Sequence, residues 1–213
     1  MSTKTIYLIR HGETDYNRRG VVQGSGIDAD LNALGQAQAL AFFEAHQHLP
    51  FQKVYTSALK RTQQSVQQFL DLGISHQTLA GLNEISWGVR EGKTPNSMDS
   101  AYYRTLIGSW QNGQTDLAAE GGESPEDVLV RLQIAIQEIL EQPHSLVLVA
   151  MHGRAMRVLL SHLMQQPLAS MDQFEHTNLG LYLLHYDYDT QIFRLEKAND
   201  TAHLQSLETP QQA

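Results

Sequence analysis

The sequence predicts an α/β fold, a three-layer α/β/α sandwich on a mostly parallel central sheet with one antiparallel edge strand. Three observations support this prediction. Short apolar runs alternate with longer segments in which apolar residues recur every three or four positions. The continuously apolar run LVLVA at 146–150 is typical of a strand covered on both faces. The length of 213 residues is enough for one well-buried core.

The first strand and the first long helix are predicted near the amino terminus. TIYLI at 5–9 is short, β-branched and aromatic, which favours a buried strand. Residues 32–46 favour a helix that Asn32 caps. We expect one stripe of this helix, with its apolar members facing the sheet, to consist of Leu34, Ala37, Leu40, Ala41 and Glu44.

A second strand–helix pair follows. KVYTS at 53–57 predicts a strand, residues 58–72 predict a helix, and residues 77–80 predict a short third strand. The buried stripe of the second helix is expected to contain Leu59, Thr62, Val66, Phe69 and Leu70.

The chain between the third strand and residue 123 has a looser pattern, rich in Gly, Pro, Ser and Asn. We interpret it as a lid-like insertion around residues 85–123, with one short helix near 98–108. Its aromatic residues suggest an apolar wall suited to an aryl or nucleoside-like leaving group, although simple packing is the more common role for the two tryptophans. These residues are Trp87, Tyr102, Tyr103 and Trp110.

The second half of the chain contains a strong helix, the apolar strand, another helix and a hairpin. Ser124 is placed to cap the strong helix and Pro125 to occupy its first turn. Two strands at 179–187 and 190–198 are expected to form an antiparallel hairpin at the sheet edge. We assign residues 1–200 to a single domain and residues 201–213 to a polar, frayed C-terminal tail.

Composition excludes several classes of function. The formal net charge of −8 argues against general affinity for nucleic acid or anionic lipid, which bind basic surfaces. The sequence contains no cysteine, so it excludes disulfides and thiolate chemistry. No segment has the ~18 apolar residues that a membrane span needs. We therefore expect a cytoplasmic protein with no membrane and no nucleic-acid partner.

Two His-Gly pairs each follow a predicted central strand. His11 precedes Gly12 and His152 precedes Gly153. Because ligands of parallel α/β sheets gather beyond the carboxyl ends of the strands, we expect both imidazoles to project into one crevice. An imidazole there can act as a nucleophile, a base, a metal ligand or a hydrogen-bond donor to a phosphate. The other eight histidines, including His176, have no ligand spacing and are expected to be structural or at the surface.

The residues around these histidines favour phosphate chemistry. The side chains of Arg10 and Arg61 are forked donors that suit phosphoryl oxygens. A leaving oxygen would also need a proton donor, for which Glu84 is the candidate and Glu91 a competitor. Asn17 is either a ligand contact or the cap of a turn.

Six sequence blocks together resemble the histidine phosphatase superfamily, which includes the cofactor-dependent phosphoglycerate mutases. They are LIRHGETDYN, VVQGSGIDADLNALGQAQA, YTSALKRTQQS, LNEISWGVREG, EGGESPEDVLVRL and LVLVAMHGRAMRVLL, and they occur in the family's order over most of residues 5–165. The resemblance implies a phosphoglycerate mutase-like fold and a small-molecule phosphorylated substrate. It also implies a phosphatase that works through a phosphohistidine, with no metal and no cofactor.

The resemblance assigns a role to each matching position. His11 would be the nucleophile, held by a backbone contact near Gly12, and Glu84 would be the general acid. The phosphoryl oxygens would be bound by Arg10, Arg61 and His152. The remaining substrate-binding positions would be Asn17, Gln23, Gly24 and Gly153.

Three functions remain open at this stage. The short interval between Glu84 and His152 and the brief polar tail favour hydrolysis, because a mutase must shield its phosphohistidine from water. A phosphoglycerate mutase is the alternative enzyme, and a non-enzymatic phospholigand-binding module is the alternative outside catalysis. Specific substrates such as α-ribazole phosphate or fructose 2,6-bisphosphate are compatible, although Asp28 and Asp30 argue against a multiply phosphorylated one. A homodimer through the edge hairpin is suggested by analogy alone.

Overall fold

Six strands form one sheet, in the order β3-β2-β4-β1-β5-β6, in a computed structural model that describes residues 2–93 and 97–208. The strands are β1 (Thr3–Arg10), β2 (Lys53–Thr56), β3 (His76–Thr78), β4 (Leu146–Met151), β5 (Leu181–Asp187) and β6 (Ile192–Asp200). The helices are α1 (Asp15–Arg18), α2 (Ala33–His46), α3 (Lys60–Gln64), α4 (Gln67–Asp71), α5 (Ser97–Gln111), α6 (Pro125–Glu141), α7 (Gly153–Leu163) and α8 (Gln205–Glu208).

Strand direction confirms the predicted fold class. Strands β3, β2, β4 and β1 are mutually parallel, whereas β5 is antiparallel to β1 and β6 is antiparallel to β5. The hairpin therefore forms one edge of the sheet, as expected. β1 and β4 are direct neighbours in the middle of the sheet, so their carboxyl ends open onto the same space.

Alternate residues of the central strands enter two separate cores. Ile6 and Leu8 of β1 belong to one apolar cluster, while Ile9 belongs to the other. β4 divides its side chains in the same way. Helices α6 and α7 contribute to the first cluster, and α2 and α4 to the second. Successive side chains of a strand point to opposite faces of the sheet, and here both faces are covered by an apolar cluster. This explains the unbroken hydrophobic run at 146–150.

The first long helix begins where the sequence predicts, but it buries a different face. Asn32 caps α2, because its Oδ1 accepts a hydrogen bond from Gly35 N. Leu34 and Leu40 are 43% and 46% exposed, so the expected apolar stripe is wrong. Close backbone packing sets the orientation, since a Cβ on Gly35 would lie 2.1 Å from the carbonyl oxygen of Glu13. The buried residues of α2 are Gly35, Ala39 and Phe42.

The predicted helix at 58–72 divides into two short helices, α3 and α4. The break lies at Ser65 and Val66. Ser65 Oγ donates a hydrogen bond to the carbonyl of Arg61 and accepts one from Gly12 N, at 2.6 and 2.8 Å. Ser65 thus links this helical segment to the loop after β1. The predicted stripe is buried apart from the half-buried Leu70.

The insertion at 85–123 contains a helix, α5, and several of its side chains are buried in the first apolar cluster. α5 is longer than the predicted helix at 98–108, and residues 94–96 lie outside the described residues. Trp110 is fully buried, and its Nε1 donates to the carbonyl oxygen of Leu117 at 2.8 Å. Trp87 packs beside it with ring centroids 5.7 Å apart. The predicted packing role is confirmed for Trp110, whereas Trp87 is buried but also lines a cavity, and movement as a lid stays a prediction.

The third long helix has the predicted start. Ser124 and Asp127 form a capping box, and Pro125 occupies the first turn of α6. Its carbonyl end is bound by a residue that the sequence did not indicate. The buried Lys4 donates hydrogen bonds to the carbonyls of Ile139 and Gln142, and burial lowers the pKa of Lys4 to about 8.

The start of the C-terminal tail is ordered, contrary to the expectation of fraying. Residues 202–204 form a 3₁₀ turn and residues 205–208 form α8. Leu204 is buried in the same cluster as Phe42 of α2, which holds this segment on the domain. The rest of the predicted tail, residues 209–213, lies outside the described residues. In the described part of the chain, no helix is both long enough and apolar enough to cross a membrane.

Candidate active site

The sheet brings the two His-Gly pairs side by side. Arg10 of β1 is in register with Met151 of β4, so the next residues, His11 and His152, leave adjacent strands at the same level. Their ring centroids are 5.2 Å apart. Both are buried, with exposed fractions of 2% and 0%. The predicted convergence of the two imidazoles is therefore present in the structure.

The hydrogen bonds of His11 leave one ring nitrogen open. Nδ1 lies 2.7 Å from the carbonyl oxygen of Gly12, which can only accept, so Nδ1 carries the proton. Burial, with help from the nearby charges of Arg61 and Arg10, holds the pKa of His11 well below its usual value. His11 is thus a neutral imidazole whose Nε2 retains its lone pair.

The hydrogen bonds of His152 use both ring nitrogens. Arg61 Nε donates to Nδ1 at 3.2 Å, which places the proton on Nε2. Nε2 in turn donates to Ser57 Oγ at 2.8 Å. Burial is also the largest cause that lowers the pKa of His152, followed by the charge of Arg61. His152 therefore orients Arg61 here, and a direct contact with a ligand would require one of these bonds to be exchanged.

Arg61 is fixed in the wall of the site. Nη1 donates to the carbonyl oxygen of Ile27 at 2.6 Å and Nη2 to that of Gly24 at 3.2 Å. With the bond to His152, three of the five guanidinium N–H donors are used, which leaves two for a ligand. The side chain is fully buried, and burial lowers its pKa to about 10, so the guanidinium stays charged at neutral pH.

Arg10 supplies a second guanidinium. Its Nη1 donates to the carbonyl oxygen of His176 at 2.7 Å. The buried Nε has no acceptor among the described residues. Burial lowers the pKa of Arg10 to about 10, so it too remains charged at neutral pH. A buried charged donor without an acceptor is costly, and an anion bound at this position would satisfy it.

Glu84 caps helix α7 from a distant part of the chain. Oε1 accepts from Ile85 N and Ala155 N, both at 2.9 Å, and Oε2 accepts from Arg154 N at 3.1 Å. A carboxylate offers about four acceptor positions, so one position on Oε2 remains. Glu84 also lines the cavity at the carboxyl ends of β1 and β4.

Glu91 has a different environment from Glu84. Its Oε1 accepts from Trp87 N at 2.9 Å, and its carboxylate fills the space beside Gly24 and Gly26. Glu84 lines the cavity and Glu91 does not, but both carboxylates interact with the charge of Arg61, so the choice of Glu84 as the proton donor stays a prediction.

The predicted substrate-binding residues surround the same site. Asn17 completes a capping box at α1, where its Oδ1 accepts from Thr14 N at 3.2 Å, so the capping role is present. Gln23 lines the cavity and accepts from Thr14 Oγ1 at 2.9 Å. Gly24 binds Arg61 through its carbonyl oxygen. A Cβ on Gly153 would lie 3.2 Å from the His176 ring, so glycine gives room there. Their contacts with substrate stay predictions.

A cavity of about 480 Å³ opens at the carboxyl ends of β1 and β4, where Arg10, Glu84 and Gly153 line it; the buried His11, His152 and Arg61 lie behind this lining. Trp87, Tyr102 and Tyr103 also line the cavity, whereas Trp110 does not. Asp28 and Asp30 lie outside this lining, where Asp28 accepts from Lys60 N and Asp30 from Gln64 Nε2, but Asp28 also interacts with the charge of Arg61, so the expected acidic edge stays a prediction. The charged lining is instead mostly basic and consists of Arg10, Arg90, Lys93, Arg104, Arg154 and Glu84.

Comparison with known proteins identifies the family. The model of the histidine phosphatase superfamily (branch 1) matches residues 6–201. The chain belongs to this superfamily. A probable phosphoglycerate mutase, GpmB, of Enterobacter sp. (strain 638) is 30% identical over 207 residues, which cover 93% of this chain and 94% of that protein.

A longer relative and two solved structures also match this chain. The 6-phosphofructo-2-kinase/fructose-2,6-bisphosphatase 1 of Mus musculus is 35% identical over 184 residues, covering 85% of this chain but only 36% of that longer protein. The solved mycobacterial glucosyl-3-phosphoglycerate phosphatase has a TM-score of 0.81 at 24% identity, covering 93% of this chain and 100% of its own. A putative alpha-ribazole-5'-P phosphatase of Escherichia coli has a TM-score of 0.80 at 24% identity, with coverages of 92% and 96%. These two structures establish the common fold.

The sequence did not indicate the loop before β5. His176 was expected to be structural or at the surface, but it contacts Arg10 and lines the cavity. Asn178 Nδ2 donates to the carbonyl oxygen of His11 at 2.8 Å, and Leu179 N donates to that of Arg10 at 3.1 Å. Because β5 is antiparallel to β1, its starting loop lies at the carboxyl end of β1. The antiparallel hairpin was therefore a topological signal that could have found this loop.

The site has few of the features of a protein metal centre. Across residues 2–93 and 97–208, no group of three or more His, Asp and Glu side chains is arranged to hold a metal ion. The donors that remain for a ligand in this part of the structure are guanidinium N–H groups of Arg10 and Arg61, which suit an anion.

Proposed function

We propose that this protein is a phosphatase that hydrolyses small-molecule phosphomonoesters through a phosphohistidine on His11. One observation carries the proposal: the unprotonated Nε2 of His11 lies in a buried site with two guanidinium groups that have unused donors. A nucleophile and a preorganised anion site are the two requirements of phosphoryl transfer to an enzyme side chain.

The first half-reaction uses His11 and Glu84. Nε2 of His11 attacks phosphorus as the bond to the ester oxygen breaks, and that oxygen takes a proton from Glu84. The proton occupies the one Oε2 position that the protein leaves open. Arg10 and Arg61 stabilise the charge on the non-bridging oxygens. The Nδ1–H bond to Gly12 stabilises the positive charge that develops on the imidazole ring.

The second half-reaction restores the enzyme. Glu84, now ionised, takes a proton from a water molecule that attacks the phosphohistidine. The bond between phosphorus and Nε2 breaks, and orthophosphate leaves. The imidazole ring of His11 returns to its neutral form, and Nδ1 keeps its proton throughout. The depressed pKa of His11 favours this neutral state between turnovers.

A phosphoglycerate mutase is the second candidate, because the relative at 30% identity over nearly its whole length is named as a probable mutase. The two activities share the phosphohistidine and differ in its acceptor. Priming by 2,3-bisphosphoglycerate separates them. We expect hydrolysis of the bisphosphate, whereas interconversion of 3- and 2-phosphoglycerate would favour the mutase.

Turnover of p-nitrophenyl phosphate at mildly acidic pH, without added metal, tests the proposal. We expect the wild-type protein to release orthophosphate and His11→Ala to release none above background. The matched control is His48→Ala, at an exposed position between α2 and β2, and this variant should retain wild-type rates. Equal rates for wild type and His11→Ala would contradict the proposal.

A further inference from the structure

We propose that the cavity at the carboxyl ends of β1 and β4 binds a leaving group that carries a second anionic group, and that Arg154 selects for this group. The anion is a carboxylate or a phosphate, which share their affinity for a guanidinium fork. This inference rests on the proposed function and adds the substrate class.

The charge of the cavity is opposite to that of the chain. The protein has a formal net charge of −8, yet the cavity is lined by five basic side chains and, among the described residues, by one carboxylate. We assign Arg10 to binding the transferred phosphoryl group, because its buried Nε has no acceptor among the described residues and its charge lies near His11. Four further basic residues line the cavity, and they are Arg90, Lys93, Arg104 and Arg154.

Arg154 differs from the other three because it is held in place. Only 7% of it is exposed, and its Nη1 lies 2.5 Å from Asp172 Oδ1. Arg157 Nη1 contacts the same oxygen at 2.5 Å. One carboxylate shared by two guanidiniums leaves one positive charge uncompensated. Arg154 and its contact Tyr103 both line the cavity, and we infer from this that a ligand anion reaches that charge on the Tyr103 side.

The position of Arg154 directs it at the leaving group. Its backbone N–H binds Glu84 Oε2, the oxygen that we propose protonates the leaving group. Its side chain extends toward Tyr103 of the cavity lining, with Nη2 3.4 Å from Tyr103 Oη, and the guanidinium also lies 5.5 Å from the ring centroid of the buried Trp110. The proton donor and the proposed anion-binding group thus belong to one short turn at the start of α7.

The size of the cavity supports a substantial leaving group. Its volume of about 480 Å³ is within the range of sites that enclose a small organic molecule, about 300–1,000 Å³. The wall combines apolar and cationic surface, since Arg90 lies 4.1 Å from the ring centroid of Tyr102. Such a wall suits an organic body that ends in a negative charge.

The test compares kcat/KM for three probes: phenyl phosphate, 4-carboxyphenyl phosphate and 1,4-phenylene bisphosphate. For the wild-type protein we expect at least one charged probe to exceed phenyl phosphate by about tenfold or more, the scale of a hydrogen bond to a charged group. The charged probe with the higher value identifies the anion as carboxylate or phosphate. In Arg154→Gln the ratio of charged to uncharged probe should fall to about one.

Two further variants keep the test independent of folding. Arg104→Gln, at an exposed lining position, should lower the ratio by a few-fold, as expected of a weaker, solvent-exposed charge. Arg194→Gln removes the same charge from the exposed edge strand β6 and should leave the ratio unchanged. Equal kcat/KM values for all probes in the wild type, or an unchanged ratio in Arg154→Gln, would overturn the inference. Failure to hydrolyse any probe would instead contradict the proposed phosphatase activity.

Discussion

The two His-Gly junctions share a sequence pattern and a position in the sheet but differ in their hydrogen bonds. Within residues 2–93 and 97–208, His11 uses only Nδ1, on the carbonyl oxygen of Gly12, and leaves Nε2 open. His152 uses both nitrogens, one with Arg61 and one with Ser57. Both rings are buried, and burial depresses the pKa of each. Chemical role is therefore set by the partners of each ring and not by the motif, and we assign the nucleophile to His11 and the orientation of Arg61 to His152.

Replacing each histidine in turn gives the largest expected contrast. We expect His11→Ala to lower kcat/KM for p-nitrophenyl phosphate by about 10⁴-fold or more, because the nucleophile is lost. His152→Ala should lower it by about 10²-fold, the scale of one preorganised group at the transition state. Steady-state assays of the two purified variants measure the contrast. Losses of equal size would remove the basis for giving the two rings different roles.

Arg61 joins the two histidines to the ligand. Arg61→Ala should reduce kcat/KM by about 10²-fold, or about 2–3 kcal/mol of transition-state stabilisation, because a preorganised donor pair is removed. The double variant with His152→Ala should lose little more than Arg61→Ala alone, since His152 acts largely through Arg61. A loss of less than tenfold in Arg61→Ala would contradict its assignment, and full additivity would contradict the coupling.

Replacing Asn178 tests how strongly the position of His11 depends on a hydrogen bond from the loop before β5. Its Nδ2 bond to the carbonyl oxygen of His11 makes it a positioning residue. We expect Asn178→Ala to lower kcat by about tenfold or less, with little change in KM for p-nitrophenyl phosphate, and Asn178→Asp to fail to restore it because a carboxylate cannot donate. Loss of thermal stability with unchanged kcat would indicate a purely structural role.

The pH dependence gives the smallest expected effect. The pKa of His11 is depressed, so the neutral nucleophile should persist as the pH falls from about 7 to about 5, below the model-peptide value for histidine of about 6.5. We therefore expect kcat/KM to show no decrease with an apparent pKa near that value. A pH–rate profile between those limits measures it. A steep loss below about pH 6.5 would mean that His11 is protonated in the free enzyme.

The fold was largely predictable because its signals are local. The run at 146–150, the cap at Ser124 and the hairpin turn each depend on a few adjacent residues, and all are present. The face of α2 was not predictable, because it depends on the distant contact between Gly35 and Glu13. The division of the helix at 58–72 has the same origin, since Ser65 there binds Gly12.

The site residues that follow a strand directly were predictable from the local sequence, whereas their partners from distant loops were not. His11 and His152 could be placed from the two His-Gly pairs and the rule for parallel strands. The partners that distinguish their roles come from loops whose approach depends on the whole sheet, as with Ser57 and Asn178. The basic lining of the cavity was also hidden, because its residues are dispersed between Arg10 and Arg154 in a chain of negative net charge.

The most direct test of this account is to locate the phosphoryl group on the trapped enzyme. The protein is mixed with radiolabelled substrate, quenched rapidly in alkali to preserve phosphohistidine, and digested for peptide mapping. We predict an acid-labile label on His11, present in the wild type and in His152→Ala and absent from His11→Ala. A label on His152, or an acid-stable label elsewhere, would contradict the assignment of His11 as the nucleophile.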